Sequence, residues 1–125
     1  MADADARKES WPTLRVRFYR TVSGTEPVRD WLINLDKEKR RKIGIDIKTV
    51  QFGWPMGMPL VRKLERGLWE TRSHLPGGIA RVMFTVDGST MVLLHGIIKK
   101  SQATPQQDLA TARRRLADLG VKDDE

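Results

Sequence analysis

The chain has 125 residues, of which 39% are hydrophobic and 31% charged, and its formal net charge is +7. This length fits one domain with a single core, and the apolar content with four tryptophans excludes a wholly disordered chain. The lack of cysteine excludes disulfides, thiolate metal sites and a cysteine nucleophile. No apolar run approaches the roughly 20 residues of a membrane span, and no secretory signal is recognised. We therefore expect a cytoplasmic protein with no membrane partner.

The first half of the chain predicts one strand followed by two helices. Apolar and polar residues alternate over residues 14–21, as in a half-buried strand. Residues 28–35 place four apolar side chains at helical spacing, after Thr25, which is a candidate N-cap. Asp36 is the candidate N-cap of a second helix, which is expected to end at about Phe52, before a glycine and a proline.

The second half predicts four strands and a last helix. Strand-like runs occupy residues 60–66, 68–74, 79–86 and 90–98, and short turn sequences rich in glycine separate them. Short turns predict hairpins and hence an antiparallel meander. Thr104 is expected to cap a helix that begins at Pro105 and ends at Gly120.

The resulting order, β-α-α-β-β-β-β-α, predicts a small α+β domain over residues 14–120. We expect an antiparallel sheet with the helices packed on one face. Residues 1–13 are expected to form a flexible tail, and residues 121–125 a frayed end.

Basic residues are concentrated in the predicted sheet, since residues 61–100 carry seven basic and three acidic residues. The alternation places Leu94 and Gly96 on the helix-covered face, and Arg81 and His95 together on the opposite, exposed face. The other polar residues of interest are three on one face of strand 68–74 and three lysines near the ends of the sheet. They are Glu70, Arg72, His74, Lys63, Lys99 and Lys100.

This set of residues excludes several enzyme classes. No spacing of histidine and carboxylates resembles a metal site, and neither a phosphate-binding glycine loop nor a Ser-His-Asp pattern is present. Fixed cations suit a phosphodiester, because they stabilise the extra negative charge of a pentacoordinate phosphate. RNA supplies its own nucleophile, the 2′-OH. Structural roles remain open at this point: Arg81 could hold Glu70, and His95 could be a hydrogen-bonding residue only.

Two segments resemble a known family. Residues 63–84 resemble the middle of the HigB-like, phage-derived group of the RelE/ParE toxin superfamily. Residues 92–105, which contain His95-Gly96 and Lys99-Lys100, closely follow the usual C-terminal motif of that group. The resemblance covers about residues 14–119, although the first half matches only in pattern.

The resemblance implies a toxin of a type II toxin–antitoxin pair. Such a toxin is a ribosome-dependent endoribonuclease that cuts mRNA through 2′-OH attack, with no metal or other cofactor. The expected partners are the ribosome, mRNA and a cognate antitoxin of the helix-turn-helix type. By position, Arg81 matches the arginine that stabilises the transition state. The positions matching RNA-binding residues are Lys63, Arg72, Lys99 and Lys100.

The general base is not given by the resemblance. Many RelE-like proteins use a tyrosine, where this chain has Phe84. We take His95 as the first candidate and Glu70 as the second. Two alternatives to the nuclease stay open: a ParE-like toxin that inhibits gyrase without hydrolysis, and a non-catalytic partner of a DNA-binding antitoxin.

Overall fold

The computed structural model describes residues 11–120. The element order is β-α-α-β-β-β-β-α, as predicted, and the α+β class is confirmed. The elements are β1 (Arg15–Phe18), α1 (Pro27–Ile33), α2 (Lys37–Gly53), β2 (Val61–Glu65), β3 (Leu68–Leu75), β4 (Gly78–Asp87), β5 (Thr90–Lys99) and α3 (Gln106–Leu119). Residues 1–10 of the tail predicted over residues 1–13, and the frayed end predicted over 121–125, lie outside the described residues. No helix within residues 11–120 is long and apolar enough to cross a membrane.

The five strands form a single mixed sheet in the order β1-β5-β4-β3-β2. Strands β2 to β5 form the predicted antiparallel meander, but β1 lies parallel to β5, with Arg15 opposite Thr90 and Phe18 opposite Leu93. The expectation of a wholly antiparallel sheet is therefore wrong. No hairpin joins β1 to its neighbour, so turn sequences carry no information about its direction.

Helices cover both faces of the sheet, so the expectation of helices on one face is also wrong. Helices α1 and α2 pack on the face that includes Val82 and Phe84 of β4. Helix α3 packs on the other face, where its Ala112 joins a cluster with Met83 and Leu94. The near-continuous burial of β4, from Ile79 to Thr85, is the mark of a strand covered on both sides.

A β-bulge in β5 decides which side chains reach α3. Met83 pairs with His95 and Phe84 with Leu93, so Leu94 is an extra residue in the ladder. Leu94 therefore packs with the α3 cluster, contrary to the predicted alternation. Gly96 faces α1 as predicted, and His95 shares the face of Met83.

Two of the four predicted helix caps are confirmed. The Asp36 side chain accepts a hydrogen bond of 3.0 Å from the third backbone N–H of α2. Gly120 ends α3 in the left-handed conformation, with φ of 67°. At the start of α1 and α3, however, the N-cap positions are Glu26 and Pro105, and neither provides a side-chain cap. The predicted caps at Thr25 and Thr104 are wrong.

Gly96 is required by the close approach of α1 to β5. A Cβ at this position would collide with the Trp31 ring. Gly96→Ala is expected to lower the free energy of unfolding by about 1–3 kcal/mol, because the ring and strand must move apart. Urea denaturation followed by tryptophan fluorescence measures the change.

Gly44→Ala is the matched control, since a Cβ at this exposed position of α2 meets nothing within 4 Å. It is expected to raise stability by about 0.5–1 kcal/mol through helix propensity. Equal stability of the two variants would contradict the tight α1–β5 contact.

Helix α3 is also anchored near its end by the tyrosine that follows β1. The Tyr19 hydroxyl donates to Asp118 Oδ2 at 2.8 Å, and the Arg115 guanidinium lies 5.6 Å from the centre of the Tyr19 ring. The hydrogen bond to Asp118, followed by burial, raises the pKa of Tyr19. Tyr19 thus connects the edge strand of the sheet to the last turns of α3.

Tyr19 is the only tyrosine of the chain, so phenolate absorbance titrates this residue alone. We expect its pKa to lie above the ordinary 10.0 and to move back towards that value in Asp118→Asn. Because the pKa is raised in the folded state, the stabilising contribution is present below pH 10.0 and is lost as the pH rises through the folded-state pKa. An identical titration of the two proteins would contradict the contact.

Candidate functional site

Arg81 lies at the centre of the sheet and has no solvent-exposed surface. Its Nη1 donates to the carbonyl of Ala103 at 3.3 Å, and its Nη2 donates to the carbonyl of Ser101. Its Nε has no hydrogen-bond partner and lies 3.8 Å from the Glu70 carboxylate. Burial lowers the pKa of Arg81, and the charge of Glu70 opposes that shift. The side chain is therefore a buried cation held by backbone carbonyls.

Glu70 is the carboxylate of this cluster and is also fully buried. Its Oε2 accepts from Arg72 Nη1 at 2.7 Å, and its Oε1 accepts from the Thr104 hydroxyl at 2.8 Å. Since both oxygens are occupied and Arg81 is adjacent, Glu70 balances charge and is not presented as a base.

The connection between β5 and α3 covers this cluster. We call residues 101–104 the strap. Besides its bonds to Arg81 and Glu70, it binds Arg72 through Gln102 Oε1 at 2.9 Å and Arg62 through the Gln102 carbonyl at 3.3 Å. The predicted exposed face is thus not open around Arg81: α3 and the strap cover it.

His95 lies on the same face as Arg81, as predicted, but in a separate hydrogen-bond cluster. Its Nε2 is 2.7 Å from Asp108 Oδ1, and its Nδ1 is 3.3 Å from Arg115 Nη1, which also donates to the carbonyl of Leu94. Arginine only donates, so Nδ1 accepts and Nε2 carries the proton. With 19% of its side chain exposed, His95 lies at the edge of the covered surface.

The lysines predicted to bind RNA do not form one group. Lys63 projects on the α1–α2 side, where its Nζ lies 5.7 Å from the centre of the Trp69 ring. Lys99 is the last residue of β5, opposite Ile79, and Lys100 follows it; both are exposed beside the strap. Only Lys99 and Lys100 therefore lie next to the Arg81 cluster.

His74 is exposed and lies on the same face of the sheet as Arg72. It pairs with Ile79 of β4, and Ile79 pairs with Lys99 of β5 on its other side. Within residues 11–120 no group of three His, Cys, Asp or Glu residues could hold a metal ion.

Several site residues were not predicted from the sequence. They are Arg62, Gln102, Thr104, Asp108 and Arg115. The last two had a detectable pattern, because positions 108 and 115 lie two turns apart on one helical face. The strap residues Gln102 and Thr104 had no detectable sequence pattern, since an irregular segment carries no periodicity.

Two of the three consecutive arginines of α3, at positions 113–115, make contacts within the protein. Arg113 forms a bidentate pair with Glu65, with a closest distance of 2.6 Å, and Arg115 reaches His95. Glu65 and Glu70 thus both orient cations.

These features define an α+β domain with a covered cationic cluster on a mixed sheet. The family model for phage-derived protein Gp49-like (DUF891) matches residues 30–117, so the chain belongs to that family. It is a toxin-like family related to the RelE and HigB types. No individual curated protein matches the chain significantly.

Glu70→Gln is expected to lower the free energy of unfolding by about 3–5 kcal/mol, because it leaves buried guanidinium groups without their counter-charge. Urea denaturation followed by tryptophan fluorescence provides the measurement. Glu65→Gln is the matched control: the Arg113–Glu65 pair is half-exposed and screened by solvent, so its loss should cost much less than the loss of Glu70. Similar losses in the two variants would argue against a charge-balancing role of Glu70.

Proposed function

We propose that this chain is the toxin of a type II toxin–antitoxin pair and acts as a ribosome-dependent mRNA endonuclease that needs no metal cofactor. The observation that supports this most strongly is the buried arginine at the centre of the sheet, surrounded by further arginines, in a member of a toxin-like family. Such a cluster suits a reaction in which negative charge builds up on a phosphate.

In the proposed reaction, the ribose 2′-OH of the mRNA attacks the adjacent phosphorus. The bond to the 5′-oxygen of the next nucleotide breaks, and the products are a 2′,3′-cyclic phosphate and a 5′-OH end. Arg81 stabilises the pentacoordinate phosphate, and Arg72 holds the phosphate backbone. A base takes the 2′-OH proton, and an acid protonates the leaving oxygen.

His95 is the preferred base of the two candidates. It is partly exposed, whereas Glu70 is fully buried with both oxygens bonded. Its Nδ1 lone pair becomes available when the Arg115 contact of 3.3 Å opens. Phe84 lies on the other face against Trp69, with ring centroids 6.0 Å apart, and takes no part.

The exposed Lys99 and Lys100 are proposed to contact RNA where it approaches the strap. Lys63, on the opposite side, is proposed to contact a separate stretch of ribosomal RNA. A helix-turn-helix antitoxin is proposed as the cognate partner, and the cytoplasm as the compartment in which the toxin meets ribosomes.

One observation favours a second candidate, a ParE-like toxin that inhibits gyrase without hydrolysis. Arg81 has no exposed surface, and both its terminal nitrogens bind backbone carbonyls. In a protein without nuclease activity, this arginine would serve only to hold the strap.

Induced expression with mapping of mRNA 5′ ends tests the nuclease. The wild-type chain should produce codon-phased cuts, and Arg81→Ala should abolish them because the transition state loses its central cation. The double variant Lys99→Ala/Lys100→Ala should reduce cutting by about tenfold, since two exposed phosphate contacts are lost.

The matched control removes two exposed cations elsewhere, with Arg29→Ala in α1 and Lys48→Ala in α2, and should cut as the wild type does. Since Arg81 is buried, circular dichroism and thermal melting must show that its variant is folded. Cutting by a folded Arg81→Ala protein would refute its role. Growth arrest with damaged DNA and intact mRNA would establish the gyrase alternative.

A further inference from the structure

The cluster beneath the strap contains more positive than negative charge. Arg62, Arg72 and Arg81 all donate to the strap, and the carboxylate that the described residues place among them is Glu70. Arg72 and Arg81 thus share one carboxylate, and Arg62 adds a third guanidinium group beside the strap. The positive charge left over is costly where the arginines are buried, as Arg72 and Arg81 are.

The strap satisfies these arginines with neutral groups. It offers the backbone carbonyls of Ser101, Gln102 and Ala103 and the side-chain amide oxygen of Gln102. A neutral carbonyl is a weaker acceptor for a guanidinium than an anionic oxygen is. In addition, the Nε–H of Arg81 is buried with no acceptor. The cluster therefore has both spare charge and a spare donor.

The strap itself is held mainly by these polar contacts. Ser101, Gln102 and Ala103 are all exposed, and none belongs to either apolar cluster of the described residues. Lifting the strap therefore sacrifices hydrogen bonds that an incoming anion can replace, with little loss of apolar burial.

We propose that the strap is a displaceable cover, and that a phosphodiester takes the place of its carbonyls on Arg62, Arg72 and Arg81. Arg62 then becomes a third arginine for the RNA backbone. The free protein is autoinhibited, since the cation required for chemistry is occupied until RNA lifts the strap. The RNA ligand rests on the proposed function, but the cover can be tested without ribosomes or cleavage.

A spin label on the strap reports its displacement. The chain has no cysteine, so Ser101→Cys provides a single thiol on an exposed side chain for a nitroxide. The probe is a short single-stranded DNA oligonucleotide, which has phosphodiesters but no 2′-OH. Its addition should make the label at position 101 more mobile. A label at Ser89→Cys, in the exposed β4–β5 turn, is the control and should not change.

Binding constants of three variants test the competition between strap and oligonucleotide. Gln102→Ala removes an acceptor of Arg72 and should tighten binding by about two- to fivefold. Arg62→Ala should weaken binding by about fivefold, because one phosphate contact is lost. Arg29→Ala, an exposed arginine of α1, should leave binding nearly unchanged at moderate salt.

The outcomes separate this inference from the proposed function. The label on the strap could become more mobile with oligonucleotide in a chain that never cuts mRNA. This result would support the displaceable strap and refute the nuclease activity. An unmoved label with bound oligonucleotide, or no binding at all, would overturn the cover even if mRNA is cut. Equal binding of polyglutamate of matched charge would overturn the assignment to a phosphodiester.

Discussion

The Glu70 carboxylate is the counter-charge on which the α3 side of the sheet depends. Two buried arginines, Arg72 and Arg81, flank it, and the Thr104 hydroxyl fixes its other oxygen. The ion pairs of Glu70 with the two arginines fix the guanidinium groups in a low-dielectric interior. The path of the strap follows from their positions, because each arginine needs a hydrogen-bond acceptor within reach. The strap in turn sets where α3 begins, and α3 covers the remaining half of the face.

The covered face of the sheet has an apolar half and a polar half. The apolar half is closed by Ala112 and its neighbours packing on Met83, and this half supplies stability. The polar half is closed by hydrogen bonds between arginines and carbonyls, which an anion can replace. His95 lies where β5 meets α3, held between Asp108 and Arg115. The polar half is covered by the strap, whose Ser101, Gln102 and Ala103 belong to neither apolar cluster of the described residues.

Much of the secondary structure could be predicted because its causes are local. The turns at Gly77 and Gly88 use positive φ angles, and the Asp36 cap needs only its own helix. The location of Arg81 and His95 on the same face of the sheet also followed from strand alternation and the hairpin between β4 and β5. The bulge at Leu94 could not be predicted in this way, because an extra residue arises from pairing and leaves no periodic pattern.

The sequence by itself determined the element order, the basic sheet and the resemblance to a toxin family, since periodicity, turn residues and a contiguous motif are properties of neighbouring residues. Only the tertiary structure decided that β1 joins the sheet in parallel, that α3 lies opposite α1 and α2, and that Lys63 is separated from Arg72. It also decided that Arg81 is covered rather than exposed. These features depend on which distant surfaces bury one another and on where buried charges find partners, and neither is encoded at short range.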